Sequence, residues 1–119
     1  MIPVIFYEKP GCVNNTKQKK RLVDFGFNVI STNLLKTNFS KNQLLDFFGK
    51  KSIKECINPN APIVKNKELD IKHTSEEEIL SLMLSNPILI KRPLIAIGSN
   101  KFCGFDLTKI LDFKLKEIK

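Results

Sequence analysis

Residues 2–7, "IPVIFY", are a short run of aliphatic, β-branched and aromatic positions, the pattern of a buried strand. "EKPGC" breaks that pattern, because Pro10 and Gly11 fit neither a strand nor a helix interior. From about Asn15 the spacing turns helical, with Leu22, Val23 and Phe25 apolar and Lys17, Lys19, Lys20 and Arg21 polar. Gly26 is the expected C-terminal stop. "FNVISTNLL" then alternates as a second strand, with Phe27, Val29 and Ser31 on one face. Residues 2–34 therefore predict a βαβ unit with parallel strands and a right-handed crossover.

The middle of the chain changes character. Ser40 and Gln43 stand at capping-box spacing ahead of Leu44, Leu45, Phe47 and Phe48, and Gly49 closes that segment. "KSIKECIN" repeats the apolar spacing through Ile53, Cys56 and Ile57, and "NPNAP" ends it. Ser75 and Glu78 form a second capping-box pair before Ile79, Leu80 and Met83, with Pro87 as the stop. Residues 36–90 thus read as an all-helical insertion of at least three short helices. Strands return in "RPLIAIG" and "KFCGF", joined by a turn at residues 99–100. Asp106 then caps a last amphipathic helix with Leu107, Ile110, Leu111 and Leu115 on one face. The expected organisation is one domain over 1–119, its core in 1–35 and 91–119.

Composition narrows the function classes. The chain of 119 residues is 42% hydrophobic and 27% charged, as for an ordinary soluble globular protein. "MIPVIFYEKPGC" lacks a positively charged leader region, and no apolar run approaches the ~18 residues of a membrane span. A cytoplasmic monomer with no membrane contact is expected. The net charge of +8 suits an acidic protein surface, but arginine occurs only at Arg21 and Arg92. Arginine is the usual base-edge reader, so specific DNA recognition is not expected. Three widely spaced cysteines and one histidine make neither a disulfide framework nor a metal-ligand motif, and no metal or bound cofactor is expected.

The candidate chemistry centres on Cys12. Read alone, it is either a small residue in a turn or a thiol at a helix tip, where unpaired N–H groups and the dipole favour an anion. On the second reading its pKa is lowered, with Lys9, Lys17 and Arg92 adding positive field. Gly11, Asn14 and Asn15 would line the tip, and the asparagine side chains could donate to the sulfur or to a bound oxyanion. Cys56 is expected in the core, His73 in solvent, and the lysines at 17, 19 and 20 on a solvated helix face.

The segments "FYEKPGCVNNTKQK" (6–19), "LLDFFG" (44–49), "NPNAPIVK" (58–65), "LMLSNPILIKRPLI" (82–95) and "CGFD" (103–106) resemble the arsenate reductase–Spx family over the whole chain. The nearest likeness is to its nitrogenase-associated branch. The resemblance implies a thioredoxin-like α/β fold, βαβ then ββα, on a mixed four-stranded sheet. It also implies a cis peptide before Pro93 that faces the cysteine loop. By the same resemblance Cys12 takes the place of the nucleophile and Arg92 that of one of three oxyanion-binding arginines. Lys65 is the cation nearest the second arginine position, and Gly104 stands at the third. Asn15 occupies the position of the second cysteine of a CxxC switch. These departures count against arsenate as substrate and against a local disulfide switch. Two readings follow: a monothiol oxidoreductase, linked to nitrogen fixation and served by glutathione or glutaredoxin, or a non-catalytic Spx-like module. The second would bind RNA polymerase or a nitrogenase-related component.

Overall fold

The strands β1 (Ile2–Glu8) and β2 (Phe27–Asn33) pair in parallel through α1 (Val13–Asp24), as the βαβ pattern predicts. This computed structural model describes residues 2–118, and side chains as far as residue 113. Leu115, expected on the last helix's apolar face, lies outside the described side chains. β3 (Leu94–Ile97) runs antiparallel to β1, and β4 (Asn100–Cys103) antiparallel to β3. The sheet is therefore mixed and four-stranded, in the order β2-β1-β3-β4. Ile97 pairs with Asn100, so the hairpin loop is Gly98–Ser99 rather than 99–100. Gly98 takes a φ of 60°, a left-handed value that a tight two-residue loop needs and glycine supplies without strain.

Between β2 and β3 lie α2 (Lys41–Phe48), α3 (Pro62–Lys65) and α4 (Glu76–Ser85), with 3₁₀ turns at Leu34–Lys36, Lys54–Cys56 and Pro87–Leu89. α2 starts with a complete capping box: Ser40 accepts from the Gln43 N–H and Gln43 accepts from the Ser40 N–H. At α4 Ser75 accepts from the Glu78 N–H. "NPNAP" does not simply end a helix. Pro62 opens α3, since its fixed φ and missing N–H suit the first helical position. "KSIKECIN" forms only a 3₁₀ turn. α5 (Leu107–Ile118) completes the chain, and Asp106 Oδ1 accepts from the Lys109 N–H at 3.2 Å.

β3 is buried on both faces and separates two cores. Leu94 and Ala96 face the insertion, packing with Leu44, Phe47, Cys56 and Met83. Ile95 and Ile97 face the other way, against Val4, Phe6, Leu22, Phe27 and Ile110. The insertion thus covers β3 and the Tyr7 end of β1 on one face, leaving Ile5 and Ile30 exposed there, while α1 and α5 pack on the other face. Within the insertion, an Ile57–Ile90 bridge, with Asn58 N–H donating to Leu89 O at 2.8 Å, joins the Lys54–Cys56 turn to the segment that leads into β3. Lys19 is not part of a solvated face: its Nζ pairs at 2.6 Å with the buried carboxylate of Glu8. That pair joins α1 to the end of β1, directly before the loop that carries Cys12. Among the described residues, no helix is long and apolar enough to cross a membrane.

Candidate functional site

Cys12 sits where β1 hands over to α1. The Cys12 N–H donates to Lys9 O at 3.1 Å, closing the "KPGC" turn, and Gly11 takes a φ of 81° within it. A Cβ at residue 11 would meet nothing within 4 Å, so glycine is needed there for backbone conformation rather than for space. α1 begins at Val13 with Cys12 as its N-cap, two residues earlier than the apolar spacing places the helix start. The extended backbone conformation of Cys12 aims the first free N–H groups of the helix at its own side chain.

Arg92, joined to Pro93 by a cis peptide bond just ahead of β3, acts on this helix tip. Partial burial of Cys12 raises its pKa. The Asn15 backbone N–H, the hydrogen bond and charge of Arg92, and the Asn14 backbone N–H together outweigh this, so the pKa lies below the ordinary thiol value. The Cys12 side chain makes no capping hydrogen bond, so these groups favour the thiolate by their proximity and charge. Lys9 and Lys17 are not among the groups acting on Cys12.

The asparagines contribute differently from the sequence expectation. Asn15 is buried, with its Oδ1 accepting from the Lys9 N–H at 3.4 Å and its Nδ2 donating to Gln18 Oε1 at 3.0 Å. Its side chain braces the loop from within, and only its backbone N–H serves the sulfur. Asn14 is exposed and likewise acts through its backbone N–H. Pro93 is buried, and its carbonyl accepts from the Gly104 N–H at 2.8 Å, which fastens the Arg92–Pro93 segment to the end of β4.

No arginine stands at 104, but the space beside it is cationic. A Cβ there would lie 3.5 Å from Lys91 Cε and 3.8 Å from Lys51 Nζ. Lys51 Nζ also donates to Cys103 O at 2.7 Å. Sequence reasoning missed both lysines; the only signal was their placement in "GKK" and "IKRP". Lys65 is exposed at the end of α3. Cys56 is buried, and His73 is exposed with its Nδ1 2.8 Å from Asp70 Oδ2. Among the described residues no group of three or more His, Cys, Asp or Glu is placed to hold a metal ion.

Residues 7–113 match the ArsC family model. An uncharacterized 15.7 kDa protein in the draG 3′ region of Rhodospirillum rubrum is 42% identical over 89% of this chain and 74% of its own length. That relative fits the nitrogenase-associated branch of the family. The global transcriptional regulator Spx of Streptococcus pyogenes is 20% identical over 98% of this chain and 88% of its own. Among solved structures, an ArsC family related protein from Bacteroides fragilis superposes with a TM-score of 0.80 at 22% identity, covering 93% of this chain and 98% of that one. The arsenate reductase from Vibrio cholerae superposes with a TM-score of 0.75 at 19% identity, covering 93% and 97%. These last two likenesses carry the fold, which is thioredoxin-like.

Proposed function

We propose that this chain, which belongs to the ArsC family, is a monothiol oxidoreductase with Cys12 as its nucleophile and Arg92 as the group that stabilises the anion. The observation that supports it is the Arg92 guanidinium beside Cys12 at a helix N-terminus, with two backbone N–H groups directed at the sulfur. In the reaction, the Cys12 thiolate attacks one sulfur of a disulfide R–S–S–R′. The S–S bond breaks, R′–S⁻ leaves, and a Cys12–S–S–R mixed disulfide forms. An external thiol, glutathione or a glutaredoxin, then attacks R's sulfur and releases the Cys12 thiolate. Gly11 and Pro93 shape the approach. The resolving thiol comes from outside, since Asn15 stands where a local second cysteine would be. The relative in the draG region is the ground for linking this chemistry to nitrogen fixation.

Glutathione disulfide tests the reading directly. Whole-protein mass spectrometry should find one glutathione added at Cys12, removed again by glutaredoxin, and none in Cys12→Ser. Failure of the wild-type protein to form the adduct faster than a denatured control would contradict it. Arsenate reduction with the same reductants should not exceed the Cys12→Ser background, because Arg92 alone stands for the arginine set.

A second reading draws on the Spx relative and the net charge of +8: a non-catalytic module docking on an acidic partner, RNA polymerase or a nitrogenase-related component. It differs in outcome, since Cys12→Ser would leave salt-sensitive partner binding intact.

A further inference from the structure

A second pair of thiols, far apart in sequence, meets on the insertion side of the sheet. Cys56 ends the 3₁₀ turn Lys54–Cys56, and Cys103 ends β4. Both belong to the same buried cluster. The Lys91 peptide group links them: its N–H donates to Cys56 O at 2.8 Å, and its carbonyl accepts from Cys103 Sγ at 4.0 Å. The two thiols are close enough to act on each other's titration. Cys103 is 4% exposed against 0% for Cys56. It borders a cleft of about 350 Å³ whose walls include Phe47, Lys51, Lys101 and Gly104. A small solute in the cleft therefore meets Cys103 first, with Cys56 behind it.

We propose that Cys103 and Cys56 form a second reactive site, a dithiol oxidised by small hydroperoxides entering from this cleft. It does not depend on the role assigned to Cys12. The Cys103 thiolate attacks a peroxide oxygen and the O–O bond breaks. The leaving oxygen takes up a proton as water or an alcohol, and Cys103 becomes a sulfenic acid. The Cys56 sulfur then attacks Cys103 Sγ and the S–O bond breaks. The departing hydroxide combines with the Cys56 proton as water, leaving a Cys56–Cys103 disulfide. The two thiols together lose two electrons, and the hydroperoxide gains them.

Electrostatics give the same order. The neighbouring Cys56 thiol holds the Cys103 thiol below its ordinary range against the opposing effect of burial, and the charges of Lys51 and Lys91 add to this. The proximity of Cys103, together with burial, pushes the Cys56 thiol up. Cys103 is thus the attacking sulfur and Cys56 the resolving one.

The test uses the full-length Cys12→Ser protein, in which both residues stay in place. After treatment with hydrogen peroxide it is unfolded, alkylated and digested. The expected product is a protein lighter by two hydrogens that takes up no iodoacetamide, with the Cys56 and Cys103 peptides joined. Dithiothreitol should restore both thiols, and the oxidised form should melt several degrees higher because the unfolded chain is cross-linked. Three results would overturn the proposal: two thiols still alkylated after peroxide, Cys103 carried on to sulfinic acid with Cys56 free, or a disulfide joining two copies of the chain.

Discussion

Replacing Arg92 with leucine is expected to slow alkylation of Cys12 at pH 7 roughly tenfold for each pKa unit by which the thiol rises. Arg92 acts on Cys12 both as a hydrogen-bond donor and as a charge, and only the Asn15 and Asn14 backbone N–H groups would then oppose burial. Arg92→Lys should fall between the two proteins, because it keeps the charge but loses the planar donor fork. The measurement is the iodoacetamide rate at fixed pH, with a melting curve to confirm that each variant is folded. An unchanged rate in Arg92→Leu would remove Arg92 from the site. The same shift has a consequence for stability. The folded state holds the thiolate at a pH where the unfolded chain still binds a proton. Cys12 therefore contributes stability fully above the ordinary thiol pKa, and that contribution is lost as pH falls through the lowered value.

Phe6→Ala should cost about 3–5 kcal/mol of unfolding free energy, the largest stability effect expected of a single truncation near the site. Phe6 is fully buried on β1, pairs in register with Ile95, and packs with Leu22 of α1 and Ile110 of α5. Its loss leaves a cavity between the strand that leads to Cys12 and the helix that Cys12 caps. Urea denaturation should give a lower midpoint with little change in slope. A loss below about 1 kcal/mol would mean that the two elements are not held together by this packing.

The βαβ half was legible because its periodicities are undisturbed: a six-residue apolar run, a helix with one polar face, and Gly26 between helix and strand. Boundaries moved where backbone chemistry decided them. Val13 rather than Asn15 begins α1, since the N-cap, Cys12, lies outside the apolar repeat. Pro62 opens a helix in a stretch that composition reads as a break. Side-chain partners across the fold were the least legible. Lys19 looks like its neighbours Lys17 and Lys20 until β1 brings the buried Glu8 carboxylate to it. Asn15 looks like a ligand-facing donor until the turn folds Lys9 and Gln18 over its amide. Arg92 was found through the family pattern, whereas nothing in the sequence pairs Cys56 with Cys103, whose segments are joined by the Lys91 peptide.

The central claim is that Cys12 is held as a thiolate by the α1 N-terminus and Arg92. It is tested most directly by the pH dependence of its alkylation in the native, full-length protein, followed by mass spectrometry of the peptide that carries residue 12. The expected midpoint lies below the ~8.5 of a free cysteine, and it moves upward in Arg92→Leu. A wild-type midpoint at or above ~8.5 would contradict the claim.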